Sequence, residues 1–289
     1  MDYYIHLCIL IGIYLILAQS FNLTFGLGRL FNLAHVASYA IGAYTTALLS
    51  TDAGWSFFPC MVASIITGGL LASLIGAISS RLSQDYFAIG TLAFSSVVSA
   101  LLINWKSITR GVLGIAGIPR PIVLGEELID NRYFLALTIA CALVTQLFLF
   151  VLFRNRFSRQ MRAQAENEQA SKALGCNASS VRLSSFFVAS SCAGLAGSLF
   201  AYYINYIDPS SFSLTEMIFI MTISVVGKPG SFWGVIAATI FLVLLPEPLR
   251  FIDFSPGILG PMRQLLYAVI LFGVVAYNRE RLFPQQRSV

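Results

Sequence analysis

The sequence predicts an all-α protein, a polytopic transmembrane helix bundle that forms a single domain over residues 1–289. Hydrophobic residues make up 57% of the chain and charged residues only 11%, whereas soluble domains carry about 25% charged residues. The mean hydropathy is +0.79, and apolar stretches recur along the whole chain. The net charge of +5 lies mainly in loops, where it suits membrane topology and anionic headgroups better than nucleic acid.

Windows of roughly 20 apolar residues, the length that a membrane-spanning helix needs, follow one another from end to end. The first has no Lys or Arg before it, so we interpret it as an uncleaved span and not as a signal peptide. The window 213–227 suits a partial or tilted helix, and the windows 29–50 and 231–250 are compatible with broken helices. The windows predict about nine spans, with about eight to ten compatible: 4–25, 29–50, 57–80, 85–104, 132–153, 184–206, 213–227, 231–250 and 261–278.

The distribution of Lys and Arg predicts the orientation, because positive residues concentrate in cytoplasmic loops. The loop 154–182 carries six of the eighteen Lys and Arg residues, and the C-terminal tail is also basic. Four predicted spans separate these segments and keep them on the same side of the membrane. We therefore predict a cytoplasmic C-terminus and an outer N-terminus. The loop 105–131 is predicted to lie outside, although it also contains basic residues.

The loop 154–182 has the local features of a short helix. Ser158 is a candidate N-cap, Glu168 and Lys172 are spaced i, i+4 in the favourable order, and Gly175 suits a C-terminal stop. Alanines and Leu174 give this helix a small, mildly apolar surface. Such a surface can lie in a groove on another protein, and an ordinary solvated loop helix fits the pattern equally well.

Small residues recur every four positions in the third window, and a similar pattern returns later in the chain. This spacing lets helices approach closely in lipid, where van der Waals contact drives their association. We therefore predict tight helix packing at both places and no substrate site. The residues concerned are Ser64, Gly68, Ala72, Gly76 and Ser80, and then Ala193, Gly197 and Ala201.

The sequence has no motif for catalysis, for ATP binding or for a metal site. Its only Gly-Lys pair, Gly227-Lys228, runs into Pro229, which cannot supply the backbone N–H groups of a phosphate loop. The two histidines form no H-E-x-x-H motif and the five cysteines are scattered singly, so a metal site or a disulfide framework is not expected. Glu216 and Glu247 are the carboxylates nearest to membrane depth, and we expect both at the ends of their spans.

Polar side chains at membrane depth are the candidate residues of a substrate pathway. Each could equally form a hydrogen bond between helices that stabilises the bundle. His35 is favoured because Asn32 and Tyr39 lie at i−3 and i+4, on a similar helix face. The scarcity of buried charge favours a neutral or zwitterionic cargo. The candidates are Asn22, Asn32, His35, Tyr39 and Tyr44.

The loop 154–182 carries, in order, Arg162-Ala163, Glu168, Ala170, Ala173 and Gly175-Cys176-Asn177. With several other stretches it resembles the branched-chain amino-acid ABC permeases, in particular their LivM branch. The loop is similar to that family's coupling loop, R-A-x-x-x-x-E-x-A-A-x-x-x-G-I-N. Asp85-Tyr86-Phe87-Ala88-Ile89 is similar to its D-Y-F-A-I signature, and Gly114 to Pro119 resembles its G-I-x-G-I-P loop. Two places depart from the family, which usually has Gly-Gly where this chain has Arg110-Gly111 and Val226-Gly227, and they put the substrate in doubt more than the mechanism.

The resemblance implies a permease subunit of a binding-protein-dependent ABC importer in the bacterial inner membrane. Its partners would be a second, LivH-like permease, two ABC ATPases and an extracytoplasmic substrate-binding protein. ATP and Mg²⁺ would bind the ATPases, and this chain would bind no cofactor. The loop residues implied to couple with the ATPases are Arg162, Glu166, Glu168, Ala170, Lys172 and Gly175.

Other functions stay open at this point. Urea permeases are close relatives of the resembled family, so the cargo is either an amino acid or urea. An autonomous channel or secondary carrier would explain a bundle but not the loop, and such a carrier usually needs an embedded charged relay. A membrane-embedded enzyme lacks a nucleophile, base or metal set.

Overall fold

The computed structural model describes residues 2–79, 84–123, 126–128, 130–247 and 256–277. It is helical, as predicted, and strands within these residues are limited to two-residue segments. The long helices are α1 (Asp2–Asn22), α2 (His35–Thr51), α3 (Phe57–Ser79), α4 (Gln84–Asn104), α6 (Asn131–Arg154), α9 (Ala178–Ile204), α10 (Leu214–Val226), α11 (Phe232–Leu244) and α12 (Pro256–Tyr277). Shorter helices are α5 (Lys106–Thr109), α7 (Arg156–Glu166) and α8 (Glu168–Ala173).

These long helices coincide with the windows in the sequence, which confirms the fold class. Among the described residues, seven segments are long and apolar enough to cross a membrane: Asp2–Leu27, Phe57–Gly76, Tyr86–Asn104, Asn131–Arg154, Ala178–Ile204, Pro209–Val226 and Gly260–Tyr277. Helix α2 has 17 residues and α11 has 13, so both are shorter than the roughly 20 residues of a full span. The count of nine spans therefore stays a prediction.

The break expected in the window 29–50 lies at its start. Helix α1 passes directly into a π-helical segment, Leu23–Leu27, and α2 begins only at His35. Between them Arg29 has a φ of 51°, a left-handed conformation that ends a helix. The chain therefore turns a corner over residues 28–34 before it re-enters the bundle.

Polar side chains fix where several helices begin. The side chain of Asp130 accepts a hydrogen bond from Arg132 N at 3.0 Å at the start of α6. Ser231 Oγ accepts one from Gly234 N at 3.1 Å at the start of α11. Both are N-caps, which satisfy backbone donors that a first helical turn leaves without a partner.

Helices α2, α3 and α9 pack together in the core, and their backbones approach one another at glycines. An added Cβ at Gly194 would lie 2.2 Å from Ser64 O, and one at Gly197 would lie 2.2 Å from Tyr39 O. At Gly68 it would lie 2.7 Å from Ser190 O. These approaches confirm the close packing predicted from the small-residue stripes, except that Ser80 lies outside the described residues.

Helix α1 is the second organising element, because it packs against α6, α9, α10 and α11. Its α6 side is tied by Gln146, whose Nε2 donates to Leu15 O at 3.0 Å. On the other side Ser224 Oγ of α10 donates to Ala18 O at 3.3 Å. The first span is therefore an interior helix.

The two ends of the bundle differ in their connections. At one end β1 (Ile115–Ala116) pairs antiparallel with β4 (Tyr206–Ile207), next to a 3₁₀ turn, Pro209–Phe212. A second small ribbon joins β2 (Ile122–Val123) and β3 (Glu126–Glu127). This is the end that the sequence predicts to be outside. At the other end the corner 28–34 lies beside α7. This agrees with the topology, which predicts that both segments are cytoplasmic.

Candidate functional site

The loop 154–182 folds as two helices and not as one. Helix α7 ends at Glu166, and Asn167 separates it from α8 with a φ of −153°. The Asn167 side chain caps α8 by accepting a hydrogen bond from Ala170 N at 2.9 Å. The prediction of Ser158 as the N-cap is wrong, because α7 begins at Arg156 and Ser158 is buried inside its first turn.

The stop predicted at Gly175 is confirmed. Gly175 has a φ of 83°, and its N–H donates to Lys172 O at 2.9 Å, while Cys176 N donates to Ser171 O at 3.1 Å. These two bonds form a Schellman motif, which satisfies the last carbonyl groups of a helix. Asn177 then caps α9 by accepting from Ser180 N at 3.1 Å.

Glu168 joins the loop to the bundle. Its carboxylate contacts Lys172 Nζ at 2.8 Å, which confirms the predicted i, i+4 pair, and it also receives a hydrogen bond from Arg182 at the start of α9. The hydrogen bond from Lys172, together with the charge of Arg182, holds the pKa of Glu168 below its ordinary value, against the opposing effect of partial burial. The Glu168 side chain is 34% exposed and Arg182 only 15%, so this contact belongs to the inner side of the loop.

The loop has an inner and an outer face. Ser158, Met161, Gln164 and Ser171 are buried on the inner face, where α7 packs against the π-helical segment and α9. Leu174 is 84% exposed on the outer face. We name this outer face the docking surface and define it by Arg162, Ala163, Glu166, Ala170, Ala173 and Leu174, all of them exposed.

The six residues expected to couple with ATPases divide between these faces. Arg162, Glu166 and Ala170 lie on the docking surface, and Lys172 and Gly175 are exposed beside it. Glu168 differs, because its ion pairs lie within the chain. Its geometry suits fastening the loop more than touching a partner.

Asn22, the first of the five candidate pathway residues, bonds to the turn between α10 and α11. It is fully buried at the end of α1. Its Oδ1 accepts a hydrogen bond from Gly230 N at 2.8 Å, and its Nδ2 donates to Ser231 O at 3.2 Å. Asn22 therefore clamps α1 to the turn between α10 and α11.

His35 connects α2 to α1. Its Nε2 lies 3.2 Å from Ser20 Oγ and 3.3 Å from Leu17 O, and Ser20 Oγ itself donates to Leu17 O at 3.0 Å. Its Nδ1 is buried and has no hydrogen-bond partner in the described part of the chain. His35 thus stabilises the bundle and keeps one ring nitrogen available.

The expected common face of Asn32, His35 and Tyr39 is formed only in part, because His35 and Tyr39 lie four positions apart within α2 but Asn32 precedes this helix. Asn32 lies before α2, and its Oδ1 accepts from Ala34 N at 3.2 Å, so it shapes the corner. Tyr39 packs its ring against Phe200 and Phe212. Tyr44, one turn further, is buried near the same Phe212, with ring centroids 6.2 Å apart. Within the described residues, Asn22, Asn32 and His35 thus bond to the turn before α11, the corner and the end of α1, respectively, whereas Tyr39 and Tyr44 pack near Phe212.

A small groove lies beside this aromatic group, between α2 and α4. Its walls are small, hydroxylic and aliphatic, and they carry no charged side chain. Such walls suit an aliphatic group next to a neutral polar one. The lining residues are Ala37, Ala40, Ser95, Val98, Ser99, Leu102, Pro209 and Phe212.

Two polar contacts within the bundle were not expected from the sequence. Tyr14 donates a hydrogen bond of 2.6 Å to the Glu216 carboxylate, which joins α1 to the first turn of α10. At the outer end His6 Nδ1 lies 2.5 Å from Tyr203 Oη. Both pairs are about 200 positions apart, so no local pattern could have indicated them. Among the described residues no group of His, Cys, Asp and Glu is suited to hold a metal ion.

Comparison with known proteins bears on the function of this architecture. Residues 3–275 match a family described as the permease component of the branched-chain amino acid transport system. The high-affinity branched-chain amino acid transport system permease protein LivM of Salmonella typhimurium is 33% identical over 93% of this chain and 69% of its own length. LivM of Escherichia coli has the same identity and coverage.

A more distant relative is the autoinducer 2 import system permease protein LsrC of Salmonella typhi. It is 27% identical over 82% of this chain and 67% of its own length. No solved structure matches the chain. The extent of the family match confirms the resemblance drawn from the sequence: the chain is a multi-pass membrane protein that belongs to the family of branched-chain amino acid transport system permease components.

Proposed function

We propose that this chain is the transmembrane permease subunit of an ATP-driven, binding-protein-dependent importer for branched-chain or other neutral amino acids in the bacterial inner membrane. The LivM relatives carry branched-chain amino acid transport in their names. The LsrC relatives are named for autoinducer 2, so the fold alone does not fix the cargo.

The docking surface is the observation that supports coupling to separate ATPases. It presents an exposed leucine, small alanines and charged residues on a loop whose inner face is fastened by Met161 and Glu168. Because this loop is held to the bundle, a force on its outer face reaches the helices. ATP-driven closure of two ATPases would therefore bias the bundle between two states.

The division of labour between the subunits follows from the same argument. The full sequence contains no phosphate loop, so ATP and Mg²⁺ bind the partner ATPases and this chain holds no cofactor. In this assembly Arg162, Glu166, Ala170, Lys172 and Gly175 meet the ATPases. Glu168 holds the loop in shape.

The remaining partners are a second, LivH-like permease and an extracytoplasmic substrate-binding protein. Helices α3 and α4 present apolar side chains outward, among them Leu70, Leu74 and Val97, and these surfaces meet either lipid or the second permease. The binding protein would deliver cargo at the outer end, where the strands and the 3₁₀ turn lie.

The cargo passes beside polar groups that are not charged. The α2–α4 groove offers hydroxyl groups next to valine and leucine, which suits an amino acid with an aliphatic side chain. Tyr39 and Tyr44 border the groove through their contacts with Phe212. Asn22, Asn32 and His35 act on the pathway indirectly, by holding the helix ends in place.

A pull-down tests the assembly. Tagged chain is purified from its native host in mild detergent, and the co-purifying proteins are identified by mass spectrometry. We expect two ATPases and a second permease. Recovery of the chain alone, under conditions that preserve other ABC complexes, would favour an autonomous channel or carrier.

Two variants locate the ATPase contact. Leu174→Asp should abolish recovery of the ATPases, because it replaces the exposed leucine of the docking surface by a charge. Leu113→Asp is the matched control, since both leucines are 84% exposed and Leu113 lies at the opposite end of the bundle. Equal ATPase recovery with both variants would contradict the docking role.

Screening the partner substrate-binding protein with leucine, valine and urea then identifies the cargo.

A further inference from the structure

We name the loop 154–182, which carries the docking surface, the docking loop. It contacts the bundle at the π-helical segment Leu23–Leu27. Met161 on the inner face of α7 is 3% exposed, and an added Cβ at Gly28 would lie 3.2 Å from its Cε atom. Leu30 N donates to Thr24 O at 3.2 Å, which folds the corner back onto the segment. A displacement of α7 therefore acts directly on residues 23–30, as well as on α9, which α7 also contacts.

Asn22, directly before the N-terminal end of this segment, bonds to a different part of the bundle, the turn between α10 and α11. Its side chain holds both Gly230 N and Ser231 O, two consecutive residues of this turn that directly precede α11. Gly26 is pressed against the same turn, because an added Cβ there would lie 2.2 Å from Gly230 N. Segment and turn are thus in direct contact.

The turn itself is compact and conformationally restricted. Lys228 and Gly230 both have positive φ, 64° and 80°. An added Cβ at Gly234 would lie 2.0 Å from Gly227 O. The backbones at the end of α10 and the start of α11 are therefore in contact and leave no room for a side chain at Gly234. Moving this turn moves both helices, because neither can shift alone without breaking that contact.

A π-helical turn is a point at which a helix axis can change direction, and Leu23–Leu27 is the last turn of the first span before the corner 28–34. This segment lies between two contacts: Met161 of the docking loop packs at its C-terminal end, and Asn22 at its N-terminal end bonds to the turn between α10 and α11. Accepting the proposed function, we propose that Leu23–Leu27 is the hinge through which the docking loop moves the α10–α11 pair, and that Asn22 is the positioning residue that transmits this movement.

Reconstitution of the complete complex in proteoliposomes tests the role of Asn22. ATP hydrolysis and uptake of radiolabelled leucine are measured together, and co-purification of the ATPases reports assembly. Asn22→Leu keeps the number and branching of the side-chain heavy atoms but removes both hydrogen bonds. We expect uptake per ATP hydrolysed to fall by about fivefold or more, the range of energetic coupling between distant sites, with assembly retained.

Gln146→Leu is the matched control. Its amide also ties α1 to a neighbouring structure, through Leu15 O, but it lies outside the path from Met161 to Gly230. We expect wild-type uptake per ATP for this variant. A wild-type ratio in Asn22→Leu, or an equal loss in Gln146→Leu, would overturn the role of Asn22.

Met161→Ala tests the hinge from its other end and decides the matter if Asn22→Leu does not assemble. Removing this side chain should lower uptake per ATP in the same way, because α7 loses its contact with Gly28. Unchanged uptake per ATP in this variant would overturn the hinge. Absence of ATP-driven uptake by the wild-type complex would instead refute the proposed function, and with it this inference.

Discussion

Tyr14 and Glu216 form a hydrogen bond of 2.6 Å between α1 and α10. A carboxylate within a membrane bundle is costly to leave without a donor. Tyr14→Phe removes the hydroxyl and keeps the ring, so we expect a loss of stability of about 1–3 kcal/mol, the usual effect of leaving a buried acceptor unsatisfied. Thermal unfolding of the purified chain in detergent measures it.

Tyr133→Phe provides the control for Tyr14→Phe, because Tyr133 is 64% exposed on α6 and its change should leave the unfolding temperature unaltered. The double variant Tyr14→Phe with Glu216→Gln should be less destabilised than the sum of its single changes, since the two side chains act as a pair. Additive effects would show that the pair does not stabilise the bundle.

Glu168 makes the stability of the docking loop depend on pH. Its pKa is lower in the folded loop than in the unfolded chain, because Lys172 and Arg182 contact the carboxylate. The ion pairs therefore stabilise the loop at neutral pH, and this stabilisation is lost as the pH falls through the lowered pKa, below the ordinary glutamate value of about 4.3. Hydrogen exchange of residues 168–182, corrected for the intrinsic pH dependence, should show the loss.

Glu168→Gln should remove that pH dependence and accelerate exchange already at neutral pH. Glu166→Gln is the control, since Glu166 is exposed at the end of α7 and should leave the exchange profile unchanged. A loop in Glu168→Gln that retains the wild-type profile would refute the stabilising role of the ion pairs.

What the sequence could predict at this scale depends on the distance between partners. Glu168 with Lys172 and the stop at Gly175 follow from helix geometry, because those partners lie within one or two turns. The contact of Glu168 with Arg182 and the clamp of Asn22 on Gly230 depend on how separate helices pack. Asn22 was correctly recognised as a buried polar residue, but its partner lies 208 positions away.

The contact of α2, α3 and α9 is the element whose disruption we expect to be most damaging. An added methyl group at Gly194 meets the backbone of Ser64 at 2.2 Å, and a backbone cannot rotate away as a side chain can. Gly194→Ala should therefore separate α3 from α9, with a cost of about 1–3 kcal/mol or more. The yield of monodisperse chain and its unfolding temperature measure this effect.

Gly273→Ala is the matched control for that substitution. Gly273 also lies in a helix, α12, but an added Cβ there has no atom within 4 Å. Alanine is better than glycine in a helix by about 1 kcal/mol, so this variant should be neutral or slightly more stable. Equal losses from both substitutions would contradict the packing argument.

Helix existence was predictable, as were many helix ends, but two boundaries were not. Apolar windows located every long helix, because hydrophobic length alone indicates a membrane helix. The start of α2 was misplaced, since residues 29–34 are apolar enough to continue a helix but are diverted by the left-handed conformation of Arg29. Similarly, α7 and α8 were predicted as one helix because Asn167 is tolerated in a helix but here acts as a cap.

At the scale of the whole molecule, the bundle has two ends with different chemistry. One end holds the docking loop, the corner 28–34 and the turn 227–231, which are connected by Met161 and Asn22. The other holds the short strands and the 3₁₀ turn. The charge distribution assigns the first end to the cytoplasm, and the proposed mechanism requires the same, because ATPases act from that side.

The sidedness of the whole chain can be measured by cysteine labelling. In a background without the five native cysteines, Leu113→Cys and Leu174→Cys are placed at opposite ends, where both side chains are 84% exposed. A membrane-impermeant maleimide added to intact spheroplasts should label position 113 and leave position 174 unlabelled. Inverted membrane vesicles should give the reverse. Because both residues are equally accessible in the fold, any difference reports the membrane barrier alone. Labelling of position 174 from outside would invert the predicted topology and remove the docking surface from the reach of cytoplasmic ATPases.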